Sequence, residues 1–599
     1  MEPLLLNKSE NMPRTDYPRP MWMRNEWYSL NGEWDFEFDF GNSGEERFMF
    51  DNGEFSKKII VPFCPESKLS GIGYLDFMPA VWYRKTFTVK DLGTRRAILH
   101  FGAVDYESKV WVNGKACGVH KGGYCAFEYD ITEHLVDGEN TVVVGAKDDN
   151  RSWKQPRGKQ CLAYKSRVCS YTRTTGIWQT VWLELVPEVY LATSKMTPHA
   201  ADGALEISVR ASSFKMGNYS LKLSAYYGEK KVGEATVRFV GDRANAYLTV
   251  DEVHLWEVLA PEIYDLKLEL IKDGESEATD TVYSYFALRD ISYNENGLMV
   301  NGKPVFMRLV LDQGFNPDGI YTAPYAEFLK EDIELAIDLG FNGARLHQRV
   351  FEERTLYYAD HLGYMLWAEE AAGIDLSKTE ATEMFLPEWM EIFNMHYNHP
   401  SVIGWCPFNE TYHNIVLHEA THTMLYRITK SLDPYRPVID ASGGVHYETD
   451  MFDVHDYEQD PKLLYEYLEP MLTDPNYFHS PIPRYRNNAP HRPEEYKGQP
   501  YWVSEYGGTF WNPNVVNDGK SAWGYGDAPK TEEEFASRYE GLTDVLLSHP
   551  RVCGFCYTQL TDIEQEQNGL YFYDRTRKFE DGVYDRIRAI NMKRAAIEK

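Results

Sequence analysis

The sequence predicts three consecutive domains: a jelly-roll β-sandwich at residues 1–187, an immunoglobulin-like β-sandwich at 188–287 and a (β/α)8 TIM barrel at 288–599. Three observations support this prediction. The chain has 599 residues, which is the length of roughly three or four domains. Alternating polar and apolar residues with frequent turns fill the first part of the chain, as in β-sandwiches. From about residue 288, strand-like and helix-like segments alternate, as in a parallel barrel.

The first domain contains many short strand-like segments separated by turn residues. The segment 27–40, WYSLNGEWDFEFDF, shows period-two alternation with a turn at Asn31-Gly32. Strand-like residues 109–112 followed by Asn113-Gly114 are typical of a β-hairpin. Because further short strands follow up to residue 187, we predict a sandwich of the jelly-roll type.

The second domain repeats the β pattern in a shorter stretch. Roughly seven strand-like segments occur within about a hundred residues, among them 205–209 and 264–271, which fits an immunoglobulin-like sandwich. This stretch lacks the Cys-Trp-Cys core of true immunoglobulin domains. We therefore predict the sandwich architecture without membership of the immunoglobulin family.

The third domain contains eight strand candidates, each followed by a helix or a loop, as a (β/α)8 barrel requires. The candidates are residues 304–309, 343–346, 365–368, 402–405, 437–440, 452–455, 501–504 and 552–557. A long Pro- and Arg-rich loop is predicted at 473–500, and loops of that length in a compact domain usually have a function.

Composition and charge argue against several classes of partner. The net charge is −29, from 62 basic and 91 acidic side chains, whereas binding of nucleic acids or anionic membranes needs a basic surface. No run of 18 or more apolar residues occurs, so no membrane-spanning helix is predicted. The start of the chain does not resemble a secretory signal. With eight dispersed cysteines that we expect to be reduced, a cytoplasmic protein is predicted.

The candidate chemistry lies where two predicted barrel strands end. Asn409 and Glu410 follow the fourth strand, and Glu505 follows the seventh. Because the carboxyl ends of barrel strands face one mouth, the two glutamates should approach each other there. Two converging carboxylates favour glycoside hydrolysis, in which one carboxyl with a raised pKa donates a proton and the other stays ionised.

We assign Glu410 as the acid/base and Glu505 as the nucleophile. Asn409 is placed to hydrogen-bond a sugar hydroxyl near the reacting carbon, which we take as the 2-OH. The alternative interpretation is that either glutamate pairs with an arginine at the barrel rim.

Short motifs along most of the chain carry a family resemblance. Pro407-Phe408-Asn409-Glu410 and Ser504-Glu505-Tyr506-Gly507 resemble the acid/base and nucleophile motifs of glycoside hydrolase family 2, which includes β-galactosidases and β-glucuronidases. Segments that resemble its sugar-binding domain and the start of its barrel are 61–63, 82–87, 171–178 and 301–304. The resemblance implies a three-domain form of the family, a small carbohydrate substrate, a retaining mechanism and a homodimer or homotetramer.

Further candidate substrate-binding residues follow from matching the family's motifs. Arg345 and His347, at the end of the second strand, match the family's Arg and His. Arg345 would pair with Glu505 and keep it ionised, or else bind strand-end carbonyls. His455 and Tyr457 follow the sixth strand, where Tyr457 would donate to the nucleophile or hold the sugar.

The remaining candidates are acidic. Asp312, after the first strand, and Glu369, after the third, are predicted as ligands of sugar hydroxyls or as structural charges at the rim. His422 and Glu419 have helical spacing that could suit a metal, but we expect both to be solvated, so no metal site is predicted. No Gly-rich phosphate loop or haem motif occurs in a convincing context, so no cofactor is predicted.

The sugar specificity depends on two departures from the family pattern. His347-Gln348-Arg349 stands where family β-galactosidases commonly have His-Tyr-Pro, which puts a cation near the mouth. Arg349 would bind a uronate carboxylate, or else pair with Glu352 or Glu353. The stretch 566–571, EQNGLY, lacks the lysine of the Asn-x-Lys motif with which family β-glucuronidases bind the carboxylate, so a glucuronide is disfavoured.

Together these features predict a retaining, exo-acting β-glycosidase for galacto-configured sugars, either a β-galactoside or its uronate, a β-galacturonide. One alternative is a furanosidase that acts on β-galactofuranosides or α-L-arabinofuranosides. Two others are not enzymes: an inactive carbohydrate-binding protein, and a scaffold whose barrel makes oligomer contacts.

Overall fold

The computed structural model describes residues 2–411, 416–482 and 496–599, except the side chains of residues 416 and 417. The predicted fold class is confirmed, since a jelly-roll sandwich, an immunoglobulin-like sandwich and a TIM barrel follow one another along the chain. Residues 483–495 of the predicted long loop lie outside the described residues. None of the described helices is long and apolar enough to cross a membrane.

The first sandwich consists of a five-stranded and a six-stranded sheet. In spatial order, the strands are Leu4–Leu5, Glu26–Ser29, Val181–Val186, Arg96–Phe101 and Phe127–Asp130 in one sheet, and Lys57–Val61, Gly32–Phe38, Ala80–Val89, Gly138–Lys147, Glu107–Val112 and Lys115–Lys121 in the other. The predicted hairpin at Asn113-Gly114 is confirmed, and both turn residues have positive φ, as a type I′ turn requires. The turn at Asn31-Gly32 instead carries the chain from one sheet to the other.

The second sandwich has seven strands, as predicted, in sheets of three and four. The strands are Leu191–His199, Ala204–Ala211 and Arg243–Thr249 in one sheet, and Lys230–Arg238, Tyr219–Tyr227, Tyr264–Lys272 and Ala278–Phe286 in the other. Alternate residues of Tyr264–Lys272 are buried, because one face of the strand packs on the core between the sheets.

The barrel strands are parallel and run in the predicted order. From first to eighth they are Met307–Asp312, Gly343–Leu346, Met365–Glu369, Val402–Cys406, Ala441–Ser442, Phe452–Asp456, Tyr501–Gly507 and Val552–Thr558. The described helices are Met49–Asn52 in the first domain and, around the barrel, Ala326–Asp338, Glu353–Leu362, Thr379–His396, Val416–Leu432, Pro461–Leu468, Glu532–Ser548 and Asp581–Asn591.

The fifth barrel strand differs from its prediction at 437–440. Regular pairing begins only at Ala441–Ser442, which pairs with Phe408–Asn409, beyond the end of the fourth strand. Before it, Val438 forms a single bridge to Trp405. Asp440 separates the two contacts, and its side chain accepts hydrogen bonds from backbone N–H groups of Ala441 (3.0 Å) and Tyr447 (2.7 Å). The pairing of Ala441–Ser442 with Phe408–Asn409 matters for function, because it fixes the backbone directly before Glu410.

The floor of the barrel is closed by a small sheet and an apolar cluster. The sheet consists of Ile291–Asn294, Gly297–Val300 and Lys303–Pro304. Trp256 packs in one apolar cluster with Trp367 and Trp502 of the barrel strands and with the buried, free thiols of Cys553 and Cys556. These two cysteines are therefore buried structural residues, and the floor leaves the opposite end of the barrel for chemistry.

A buried ion cluster joins the two sandwiches. Arg24 donates to Glu184 (2.9 Å), in the last strand of the first sandwich, and to Asp280 (2.9 Å), in the second. All three side chains are buried. Because leaving either carboxylate unpaired in this position would be costly, the cluster fixes one domain against the other.

Candidate active site

Three barrel strands bring their polar side chains to the mouth. Glu505 lies within the seventh strand, His455 lies within the sixth, and Glu410 directly follows Phe408–Asn409. Glu410 has a φ of +50°, an unfavourable left-handed conformation for a residue with a side chain. Its backbone N–H donates to the Ser442 carbonyl at 2.8 Å, and this bond from the fifth strand helps to hold the unusual conformation.

The two predicted catalytic glutamates meet in the structure. One carboxylate oxygen of Glu410, one of Glu505 and one ring nitrogen of His455 all lie within 4.8 Å of one another. The Glu410 side chain is 36% exposed, whereas that of Glu505 is only 5% exposed. One carboxylate is therefore accessible from the solvent side, and the other lies beneath it.

Arg345, at the end of the second strand, connects the predicted residues to one another. Its guanidinium is fully buried and donates to Glu505 Oε1 at 2.8 Å, to Asn409 Oδ1 at 2.6 Å and to Glu369. Because guanidinium donors have a fixed planar geometry, the three acceptors are held in fixed positions relative to one another. The alternative role for Arg345, binding strand-end carbonyls, is met only by a 3.2 Å contact with Ser504 O.

The surroundings of Glu505 favour its ionised form. Burial raises the pKa of this carboxyl, but the nearby His455 and Arg345 outweigh burial and lower it below its usual value. The Tyr457 hydroxyl donates to Oε2 of the same carboxylate. The Tyr457 ring stacks on Tyr525, with centroids 3.4 Å apart, which orients its hydroxyl.

Glu410 does not have the raised pKa that the sequence predicted for a proton donor. Arg345 Nη1 and Ser442 Oγ both lie 3.2 Å from His455 Nε2, and an ionised Glu410 carboxylate beside Nδ1 can only accept a hydrogen bond. Nδ1 lies 2.7 Å from Glu410 Oε1 and donates to it. Burial raises the pKa of Glu410, but the hydrogen bond from His455 outweighs burial and lowers it below the usual value.

His347 and Glu369 form a buried layer behind Glu505. Glu369 accepts hydrogen bonds from Arg345 and from the backbone N–H of Gln348 at 3.1 Å. His347 Nδ1 lies 3.3 Å from Glu369 and 3.7 Å from Glu505. Burial lowers the pKa of His347 well below its usual value, so its imidazole is neutral.

Two other predicted residues lie away from the two catalytic glutamates. The guanidinium of Arg349 donates to the carbonyls of Gly314 and Tyr321, so it does not face the mouth. Its predicted partner Glu352 pairs instead with Arg14, at 2.5 Å. Asp312 accepts from the Gly314 N–H at 2.8 Å, within its own loop. Among the described contacts, Arg349 therefore pairs with neither Glu352 nor Glu353.

Sequence reasoning missed the residues that the first domain contributes to the mouth. The segment 148–175, which leaves the first sandwich, reaches the loop after the eighth barrel strand, where Tyr171 donates to Glu566. Asn568 donates to the same carboxylate at 3.0 Å. Burial raises the pKa of Glu566 to about 7, against the opposing effects of Lys159 and Tyr171. In the sequence, the feature that could have indicated this contribution is the length of segment 148–175, which lacks the alternating pattern of a strand.

A cavity of about 390 Å³ opens beside Glu410. Its lining includes Trp153 from the first domain and the apolar side chains of Ile374, Leu376 and Phe408. The described part of this cavity adjoins the accessible carboxylate rather than Glu505, and it provides room for a group attached to the sugar.

The predicted solvation of His422 is wrong. His422 is fully buried, with Thr411 at 3.1 Å and Asp440 at 3.4 Å from its ring nitrogens, whereas Glu419 is exposed. The two side chains therefore do not converge on a metal. Within the described ranges, the grouping with metal-like spacing is Glu410, His455 and Glu505, in which His455 Nδ1 lies 2.7 Å from Glu410 and 3.3 Å from Glu505.

Three models of one family match consecutive parts of the chain. The model for the sugar-binding domain of glycosyl hydrolases family 2 matches residues 73–183, the one described as glycosyl hydrolases family 2 matches 189–289, and the family's TIM barrel domain matches 291–527. The chain belongs to glycoside hydrolase family 2. The family resemblance of its motifs is thereby confirmed.

Individual family members are similar at low identity. A β-galactosidase of Thermoanaerobacter pseudethanolicus is 23% identical over 414 residues, covering 67% of this chain and 53% of that protein. A β-glucuronidase of Streptococcus agalactiae is 24% identical over 446 residues, covering 69% of this chain and 71% of that protein. A further relative is matched over 40% of its length, so the chain spans only part of several of these proteins.

A solved structure of a family 2 β-galacturonidase from Eisenbergiella tayi shares the fold. It superposes with a TM-score of 0.71 at 18% identity, covering 97% of this chain and 98% of that one. At this identity the likeness concerns the architecture alone.

We predict that Arg345→Lys lowers kcat about 100-fold or more while the protein stays folded. A lysine has one point charge and cannot hold Glu505, Asn409 and Glu369 together. The measurement is the kcat of the purified variant on an aryl β-glycoside, beside its circular dichroism spectrum. The matched control is Arg349→Lys, because Arg349 is also buried but its guanidinium donates to two carbonyls and, among the described residues, to no carboxylate.

The control is expected to lose thermal stability and to keep its kcat within a few-fold. Equal losses of kcat in the two variants would contradict the central position given to Arg345.

Proposed function

We propose that the protein is a retaining, exo-acting β-glycosidase, with Glu505 as nucleophile and Glu410 as acid/base. One observation carries the proposal: oxygens of the two carboxylates lie within 4.8 Å of each other. Retaining glycosidases separate their carboxyls by about 5–5.5 Å, whereas inverting ones need about 6.5–9.5 Å to admit a water molecule. This separation also argues against an inactive binding protein, which has no need for it.

In the first step, Glu505 attacks the anomeric carbon and protonated Glu410 gives its proton to the departing glycosidic oxygen. The bond from carbon to the leaving group breaks as the bond to Glu505 forms, so the anomeric centre inverts. In the second step, ionised Glu410 takes a proton from water, whose oxygen attacks the same carbon and releases Glu505. The second inversion restores the β configuration.

The surroundings of the two carboxylates support this division of roles. Glu505 is nearly buried and bound by Arg345 and Tyr457, which suits a group that must be ionised to attack. Glu410 is more exposed and adjoins the apolar cavity with Trp153, which suits a group that meets the leaving group and then water. Asn409 Nδ2 has no hydrogen-bond partner among the described residues, so it is free to donate to the sugar 2-OH.

The preferred sugar in this proposal has the galacto configuration, as a β-galactoside or a β-galacturonide. This proposal is supported by a relative named β-galactosidase and a structural neighbour named β-galacturonidase, while another relative is named β-glucuronidase. The missing lysine at 566–571, which disfavoured a glucuronide, carries less weight now that the first domain contributes to the same part of the mouth. A glucuronide therefore belongs in the same experimental panel.

The roles of the two glutamates are tested by replacing each with glycine and adding azide. We predict that Glu505→Gly and Glu410→Gly each lower turnover of a dinitrophenyl β-glycoside about 1,000-fold or more. In Glu505→Gly, azide takes the place of the nucleophile and yields the α-glycosyl azide. In Glu410→Gly, the covalent intermediate still forms with this good leaving group, and azide replaces water to yield the β-glycosyl azide.

Product configuration is read by proton NMR, and Glu419→Gln, which changes an exposed glutamate of the following helix, serves as the control with wild-type rates. If Glu505→Gly gave the β-glycosyl azide and Glu410→Gly gave the α-glycosyl azide, the roles of nucleophile and acid/base would have to be exchanged. Near-full turnover in either glycine variant would refute the mechanism.

The hydrogen bond from His455 to Glu410 makes a prediction about pH. Removing this donor destabilises the Glu410 carboxylate, so its pKa rises and the acid stays protonated to higher pH. We predict that His455→Phe, which has no donor in place of Nδ1, moves the basic limb of the kcat/KM profile upward by about one pH unit or more. Tyr457→Phe is the matched control, because it removes a donor from Glu505 and should raise only the acidic limb.

The profiles are measured from pH 3 to 10 on one aryl glycoside. A basic limb that does not move in His455→Phe would show that the histidine does not set the pKa of the proton donor.

A further inference from the structure

Segment 148–175 of the first domain is anchored against the loops that follow the second and third barrel strands. The Gly158 N–H donates to the Ala372 carbonyl at 2.8 Å. Gly158 has a φ of +57°, and a Cβ atom at this position would lie 2.2 Å from the Gln348 carbonyl oxygen. Only glycine allows so close an approach, so the backbone next to Lys159 is held directly against the barrel mouth.

The same segment is anchored on its other side to the loop after the eighth strand. Lys159 O accepts from the Tyr171 N–H at 2.8 Å, and the Tyr171 hydroxyl binds Glu566. Gln565 Nε2 donates to the Val168 carbonyl at 2.7 Å. Lys159 therefore extends from a backbone that is fixed at both edges of the mouth.

The ammonium group of Lys159 has no anion of its own. It makes no hydrogen bond and no ion pair within 4.0 Å in the part of the chain that the structure describes, although its side chain is partly buried. Burial lowers its pKa, but the charges of Cys169, Glu410, Glu505 and Glu566 outweigh burial and raise the pKa above its usual value. The lysine is thus a protonated group on a backbone held at the mouth, and it forms no ion pair with Glu410 or Glu505 within 4.0 Å.

Among the described residues, two arginines predicted to lie at the mouth already have partners. Arg345 is saturated by Glu505, Asn409 and Glu369, and Arg349 binds two carbonyls. Glu566 forms no ion pair with Lys159 in the described structure. Its carboxyl accepts hydrogen bonds from Tyr171 and Asn568, and its pKa of about 7 leaves it partly protonated near neutral pH.

We propose that Lys159 binds the carboxylate of a uronide, so that the first domain supplies the residue that distinguishes a uronide from a neutral sugar. A partly buried ammonium without an anion is unfavourable. A carboxylate on the sugar would pair with it through a charge-assisted hydrogen bond. This inference rests on the proposed glycosidase function and adds the chemical class of the sugar. The competing role for Lys159 is a general effect on the charge of Glu410 and Glu505.

The test compares two pairs of nitrophenyl substrates that differ only at C6: β-galacturonide with β-galactoside, and β-glucuronide with β-glucoside. Comparing the pairs separates the effect of the carboxylate from that of the C4 configuration. The variants are Lys159→Met, which keeps the length of the side chain, Lys159→Arg, which keeps the charge, and Lys165→Met, which removes an exposed lysine of the same segment as a control.

We expect wild type to prefer the uronide in at least one pair. Lys159→Met should lower kcat/KM on that uronide about 10- to 100-fold more than on its neutral partner, mainly through KM. Lys159→Arg should recover part of the preference, and Lys165→Met should match wild type on both sugars.

Equal losses of kcat/KM on the two members of a pair would overturn the inference and leave Lys159 with a general electrostatic role. A wild-type preference for the neutral sugars would also overturn it, without affecting the glycosidase function, provided that Glu505→Gln abolishes their turnover. If wild type hydrolyses none of the four substrates and calorimetry detects no binding of galacturonate or glucuronate, the proposed function fails together with the inference.

Discussion

The site depends on one buried cation, the guanidinium of Arg345. It is enclosed by the barrel and balanced by Glu505 and Glu369, with Asn409 as a neutral acceptor. A buried arginine without such partners would be strongly unfavourable, so the fold and the positions of these acceptors depend on each other. Together with His455, the same group that fixes the geometry of Glu505, the proposed nucleophile, also lowers the pKa of this carboxyl.

A second constraint comes from the arrangement of the domains. The strand ends of the TIM barrel supply Glu410 and Glu505, the proposed catalytic pair. The described mouth is completed by segment 148–175 of the first sandwich, through contacts such as Tyr171 with Glu566. Residues that are far apart in sequence thereby share one site. In the proposed function, the barrel holds Glu410 and Glu505 for the reaction, and the first sandwich supplies Lys159 to bind the carboxylate of the sugar.

The sequence predicted the features that depend on local pattern. Counting strands placed Glu410 and Glu505 at one mouth, because parallel strands in a barrel present the same ends on the same side. It did not predict the direction of Arg349, since the choice between the mouth and the Gly314 carbonyl depends on tertiary packing. Nor did it predict the lowered pKa of Glu410, which arises from a hydrogen bond between separate strands. Lys159 was missed because its position depends on contacts between domains.

The central claim is that Glu505 forms a covalent bond to the sugar. The direct measurement is mass spectrometry of the protein after incubation with a 2-deoxy-2-fluoro β-glycosyl fluoride of the sugar that it hydrolyses best. The fluorine at C2 slows breakdown of the intermediate, while the fluoride leaving group still allows it to form. We predict one fluoroglycosyl group per chain, on the peptide that contains Glu505. A label on another carboxylate, or hydrolysis of the natural glycoside without any covalent adduct, would contradict this account.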